Sequence, residues 1–166
     1  TPNNGNTVAS NAQWDNLYIG IGHANLIIEN ATASASTTDA IKKTALGEGH
    51  FLPNRSVLSA PIVVASAIAA RTRQLRVGMA VQVLPLIHPL RIAEEAATVD
   101  QISQGRFEFG IGRSGNVRAY DIMGIDYAES KERFQEALDI ILQAWSGEPF
   151  SYEGKYNHIT NATLSP

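Results

Sequence analysis

The sequence predicts an α/β fold built on a parallel sheet. Three observations carry that expectation. Short β-rich runs alternate with helical stretches from Glu48 onward. The run Arg76 to Leu84 is apolar on both faces, as a buried parallel strand is. A chain of 166 residues with 44% hydrophobic and 17% charged side chains is enough for one globular core. The formal net charge of −3 gives no electrostatic reason to bind nucleic acid or anionic membranes. With no cysteine, a disulfide framework, a thiol nucleophile, a thiolate zinc site and an iron–sulfur cluster are all excluded. The longest strongly apolar run, Ala60 to Ala70, is interrupted by Pro61 and Ser66 and falls far short of the ~20 residues of a spanning helix. Neither nucleic acid nor a membrane is an expected partner.

The elements follow in order. Residues 1 to 46 are rich in Asn, Thr, Ser and Ala. They hold two apolar patches, Leu17 to Ile21 and Leu26 to Ile28, without a sustained period. They are expected to form a poorly patterned leading segment ahead of a domain over residues 47 to 166. Ser59, Ala60 and Pro61 start a helix, with proline where its missing N–H costs nothing, and Ile62 to Ala70 continues it. Arg76 to Leu84 is a strand ended by Pro85. Pro89 opens a second helix with Ile92, Ala96, Val99 and Ile102 on its apolar face and Gly105 as its stop. In the strand Arg106 to Ile111, Phe107, Phe109 and Ile111 alternate with Arg106, Glu108 and Gly110, and Gly112 breaks it. After a loop, Ser130 is expected to cap a third helix. Its apolar face is Phe134, Ala137, Leu138, Ile141, Leu142 and Trp145, and Gly147 lies at its end. Tyr152, Gly154 and Tyr156 give the tail a hairpin-like pattern. No apolar signal core follows Thr1, and Pro166 comes just after a turn-rich stretch, as expected of an excerpt.

Gly110-Ile111-Gly112-Arg113-Ser114-Gly115 matches G-x-G-x-x-G after a strand. A dinucleotide site also needs a helix opening directly on the glycines and an acidic residue about 20 positions on at the next strand's end. The next helix predicted starts near Ser130, and Glu129 and Glu132 lie on or beside it, so that fingerprint fails on context. Two narrower readings remain. One is a phosphate cradle of exposed backbone N–H groups, the Ser114 hydroxyl and the Arg113 guanidinium; the other is a tight turn with a surface arginine. Glu48 and His50 set an acid and an imidazole near Pro53, where a cleft position would allow proton exchange near neutral pH and a plain hydrogen-bonding role is the alternative. His23, His50, His88 and His158 show no H-x-x-x-H spacing, so no metal site is expected. Arg91 with Glu94 and Glu95 reads as ion pairing on a helix face.

Taken together, Gly47 to Tyr156 resembles the luciferase-like flavin monooxygenase family, which includes bacterial luciferase and F420-dependent relatives. The motifs that carry the likeness stand in order. They are GEGHFLPNRSVLSAP, then ARTRQLRVGMAVQVLPLIHPLRIAEEAATVDQISQGRFEFGIGRSG, the MGID turn, ERFQEALDIILQAW and the YEGKY tail. The resemblance implies a partial TIM (β/α)8 barrel, roughly strands 2–4 with their helices. It implies sites at C-terminal strand ends, the face where such barrels build them. The family's Glu-His-His-Phe motif becomes Glu48-Gly49-His50-Phe51, so Gly49 replaces the first histidine and His50 matches the second. Glu48 and His50 are the catalytic candidates that follow. The family's non-prolyl cis peptide, which supports the flavin ring, falls on Ala80 and Val81. Arg113 matches the arginine that binds the flavin phosphate, flanked by Gly112 and Ser114. His88 matches a cleft-side histidine. Ser34 to Asp39 is similar to a hydroxyl-rich turn of the family's phosphate site but precedes the second strand, which fits either a polar linker or a permuted or chimeric chain.

The leading expectation is an FMN-dependent monooxygenase, or a fragment of one, that uses reduced FMN and O₂ on a small organic substrate. A flavin reductase would supply the reduced cofactor. The alternatives are an F420-dependent hydride-transfer enzyme and a truncated, non-catalytic flavin-binding or dimerising module. The resemblance also implies a cytoplasmic location and a homodimer. In luciferase-type relatives the helices matching Ile62 to Ala70 and Pro89 to Ser103 form the dimer's bundle, and Ala65 and Ala69 are expected on that surface. Unpaired edge strands of a half-barrel are a second surface open to association.

Overall fold

The computed structural model describes residues 59 to 165 and, ahead of them, the backbone strand Lys43–Leu46. That strand, β1, lies in the stretch read from sequence as poorly patterned. It runs parallel to β2 (Arg76–Met79), with Lys43 opposite Arg76 and Leu46 opposite Met79. Four residues are too few to display a period, and only pairing reveals the strand. Helix α1 (Pro61–Arg71) connects the two strands. It starts on proline and ends at Thr72, whose hydroxyl donates to the Ile68 carbonyl at 2.8 Å. Helix α2 (Pro89–Ser103) matches its predicted span. Its chain reverses at Gln104 and Gly105, both left-handed, with the Gly105 N–H returning to the Asp100 carbonyl at 3.1 Å.

Each long strand expected from sequence is two short ones. Beyond β2 the chain makes β3 (Gln82–Val83) and then a 3-10 turn at Leu84–Leu86. Beyond β4 (Phe107–Glu108) it makes β5 (Ile111–Gly112). The parallel pairs are Gly78 with Glu108 and, further on, Gln82 with Ile111. Four steps of one chain therefore face three of the other, the signature of a bulge, and the peptide bond in the longer path, Ala80–Val81, is cis. Below the bulge, Val77 and Met79 are buried against Ala65, Ile68 and Val99, with Phe107 and Phe109 packed on the same cluster. The opposite face carries Gly78 and an ion pair between Arg76 and Glu108 at 2.8 Å. Arg106 enters β4 with its guanidinium donating to the carbonyls of Ala69, Thr72 and Leu75, which closes the end of α1 onto the sheet.

A helix absent from the sequence prediction, α3 (Val117–Met123), follows β5. It is seven residues long and buries only Ala119 and Tyr120, so it has no apolar stripe to detect. A 3-10 turn at Tyr127–Glu129, capped by the Asp126 carboxylate, runs straight into α4 (Ser130–Ala144). Ser130 is thus the first helical residue and not the cap. The buried face of α4 is Glu136, Ala137, Ile140, Ile141 and Ala144. Leu142, 58% exposed, and Trp145, 42% exposed, lie off the face predicted for them, as does Ile102 on α2. The i, i+3, i+4, i+7 spacing from Ala137 to Ala144 defines the true stripe. Ala65 and Ala69 are buried in the core, which corrects their expected place on a dimer surface.

The tail is the expected hairpin, β6 (Phe150–Glu153) paired antiparallel with β7 (His158–Ala162). One buried carboxylate holds its turn. Glu136 accepts from the backbone N–H groups of Lys155, Tyr156 and Asn157 and from the Asn157 amide, at 2.6 to 3.1 Å. A Cβ on Gly154 would come within 2.4 Å of that carboxyl, which explains the glycine in YEGKY.

Candidate functional site

The parallel strands bring two separate stretches of sequence to one place. Val83 pairs with Gly112, so the Ala80–Val81 bulge and the loop after β5 lie side by side at the strands' C-terminal ends. Both glycines of this loop serve that approach. A Cβ on Gly110 would sit 2.0 Å from the Met79 carbonyl oxygen, and one on Gly112 would sit 2.5 Å from Val81 Cγ2. Only hydrogen fits at either position. Ala80 and Val81 are exposed, presenting a small apolar surface beside the loop.

Arg113 and Ser114 follow directly. Arg113 is exposed, and among the described residues no carboxylate pairs with it. Its Nη1 donates to the Ser130 hydroxyl at 3.0 Å, and its guanidinium carbon lies 5.6 Å from the centre of the Tyr127 ring. Ser114 adopts a left-handed φ of 62°, and its hydroxyl accepts from the Asn116 N–H at 3.1 Å. Two phenols hold the loop's carbonyls: Tyr120 donates to the Arg113 oxygen and Tyr127 to the Ser114 oxygen at 3.4 Å. The two rings meet edge to face, 5.1 Å apart. Tyr120 is fully buried, and that burial pushes its phenol above the ordinary pKa against the opposing pull of Arg113 and Ser130.

Five of the predicted site residues, Ala80, Val81, Gly112, Arg113 and Ser114, are therefore neighbours. Glu48, Gly49 and His50 lie outside the described residues, as do His23 and Ser34 to Asp39. His88 is exposed at the start of α2, where its carbonyl accepts from the Ile92 N–H. Tyr120, Tyr127 and Ser130 were missed from sequence. The signal available was a pair of tyrosines seven apart in a stretch with no apolar period. An open cavity of about 510 Å³ lies between α2 and the end of α4, lined by Phe107, Phe109, Trp145 and Leu164 with Asp100 as its one acid. It shares no residue with the Arg113 loop. Among the described residues no group of three or more His, Asp or Glu is placed to hold a metal ion, and no helix is long and apolar enough to cross a membrane.

A glycine-lined bulge lies beside a held arginine at the C-terminal ends of the strands. The model of the luciferase-like monooxygenases matches residues 38–166. The chain belongs to the luciferase-like monooxygenase family. Members of this family are oxidoreductases, and the architecture described above is a partial luciferase-like (β/α)8 barrel. The oxygenase component of a flavin-dependent trigonelline monooxygenase from Acinetobacter baylyi is 30% identical over 72% of this chain and 33% of its own length. Among solved structures, the monooxygenase RslO1 of Streptomyces bottropensis superposes with a TM-score of 0.76 at 28% identity, over 87% of this chain and 43% of that one. The oxygenating constituent of 3,6-diketocamphane monooxygenase from Pseudomonas putida, solved in complex with FMN, gives 0.72 at 26% identity over 86% and 38% of the two chains. The chain spans about a third to a half of the length of the curated relatives it matches.

Proposed function

We propose that this luciferase-like chain carries the phosphate-binding and ring-supporting part of an FMN site in a flavin-dependent monooxygenase. The observation behind this is the placement of Arg113, a guanidinium with no described carboxylate partner, one residue beyond the glycine that abuts Val81. The donor set suits a phosphate dianion: a planar cation able to bond two oxygens, with the Ser114 hydroxyl beside it. The exposed apolar pair Ala80–Val81 suits one face of a flavin ring. When bound, the flavin supplies the electron transfer to O₂. The protein's part is to bind, orient and exclude water. Arg113 and Ser114 would grip the phosphate, Gly112 would let the backbone approach, and Ala80 with Val81 would carry the ring. Glu48 and His50, which lie outside the described residues, are proposed to move protons in the reaction.

The reaction proposed is oxygenation of a small organic substrate, with a separate flavin reductase as the source of reduced FMN. The name of the trigonelline relative, an oxygenase component, supports a two-protein system. A homodimer through α1 and α2 would use their exposed apolar residues, Val63 and Ile102, in place of the buried Ala65 and Ala69. Val63→Arg would then yield a monomer by light scattering. The direct test is titration with FMN. Arg113→Ala should weaken binding by about 1.5–3 kcal/mol, the worth of hydrogen bonds to a charged group, and equal affinity in both proteins would refute the assignment.

A further inference from the structure

Arginine on a surface loop samples many rotamers, and fixing one on binding costs entropy. Arg113 is exposed yet tied at both ends. Its Nη1 donates to Ser130 Oγ at 3.0 Å, and its own carbonyl accepts from the Tyr120 hydroxyl. Ser130 and Tyr120 are both fully buried. Two buried hydroxyls therefore hold one residue: Ser130 accepts from the guanidinium, and Tyr120 donates to the same residue's backbone carbonyl. The guanidinium spends one N–H in this and keeps the rest. Tyr127 closes the assembly by lying under the guanidinium, edge-on to Tyr120, with its hydroxyl on the next carbonyl.

We propose that Ser130 and Tyr120 are positioning residues that pre-set the Arg113 guanidinium, and so determine how strongly the site prefers a phosphorylated flavin over the same ring without phosphate. This inference rests on the phosphate role of Arg113 proposed above. Neither residue touches the ligand. Each acts through Arg113, so loss of either should be felt only by a ligand that carries the anion. A general loosening of the fold would be felt by both ligands.

The test is fluorescence titration of the full chain with FMN and with riboflavin, for the wild type, Ser130→Ala, Tyr120→Phe and Arg113→Ala. Tyr120→Phe keeps the buried ring and removes only the hydroxyl, so it serves where Ser130→Ala destabilises. The wild type should prefer FMN. Ser130→Ala and Tyr120→Phe should each lower FMN affinity roughly three- to tenfold, the scale of one hydrogen bond, and leave riboflavin affinity unchanged. Arg113→Ala should remove the preference. Equal losses for both flavins, or none, in Ser130→Ala and Tyr120→Phe while Arg113→Ala abolishes the preference would overturn the positioning role alone. No preference in the wild type, or one that survives Arg113→Ala, would overturn the phosphate reading and the positioning role with it.

Discussion

The first two turns of α4 hold two polar clasps, and they differ in what they leave over. On one side Glu136 takes four N–H groups from the hairpin turn, and Glu132 takes the Lys155 ammonium and the Tyr156 hydroxyl, both at 2.8 Å. Arg133 lies over the Tyr156 ring at 4.1 Å. Those carboxylates are used up by the protein itself. On the other side Ser130 holds Arg113, an exposed residue whose guanidinium makes no ion pair among the described residues. A polar cluster whose members satisfy one another is architecture, because nothing is left to recognise a ligand. A cluster that fixes a cation and leaves it unpaired has the form of a binding site.

The most severe way to break the contrast is at the bulge that both the sheet and the loop depend on. Gly110→Ala puts a methyl 2.0 Å from the Met79 carbonyl oxygen, backbone against backbone, and should cost about 3 kcal/mol or more in urea unfolding. Next is the spent clasp. Glu136→Ala strands the turn's N–H groups and should cost about 2–3 kcal/mol, with faster amide exchange at Lys155 to Asn157 and no change in flavin preference. A change in that preference would mean that the two clasps are not separate.

A smaller effect is expected from acid. Hydrogen bonds from Lys155 and then Tyr156 hold the Glu132 carboxyl below its ordinary value of 4.5. A depressed carboxyl contributes stability that is present above the ordinary value and lost as pH falls through the depressed one. The Lys155–Glu132 contact should therefore persist at pH 5 and give way only below 4.5, followed by the Lys155 and Tyr156 signals in NMR. Loss of the contact above pH 5 would contradict this. The raised Tyr120 phenol runs the other way, its contribution complete below 10 and lost as pH rises through the higher folded value. Smallest of all is Arg91→Ala. Its exposed pairs with Glu94 and Glu95 should be worth less than about 0.5 kcal/mol by thermal unfolding.

The three long helices and the hairpin were legible in the sequence because their signals are local. Pro61 and Pro89 mark two helix starts, and the turn residues around Gly154 mark the hairpin. The strands were legible as β-rich runs but not as pairs of short strands, since a bulge is defined by the partner's register. Helix α3 escaped because seven residues with two buried ones show no period. Within the site, the glycines, Arg113 and Ser114 came from a motif, and Ala80 with Val81 from resemblance. Ser130 was legible only as a serine at a helix start. Its other role, under a guanidinium 17 positions away, exists only after the 3-10 turn and α3 fold the chain back.

The most direct measurement is the affinity of the wild type and Arg113→Ala for FMN and riboflavin, side by side in one calorimetric series. A held, unpaired guanidinium predicts that the wild type binds FMN at least about tenfold more tightly than riboflavin, and that Arg113→Ala brings the two together by weakening FMN alone. Wild-type protein that binds both flavins equally, or a preference that survives the loss of Arg113, would contradict the account.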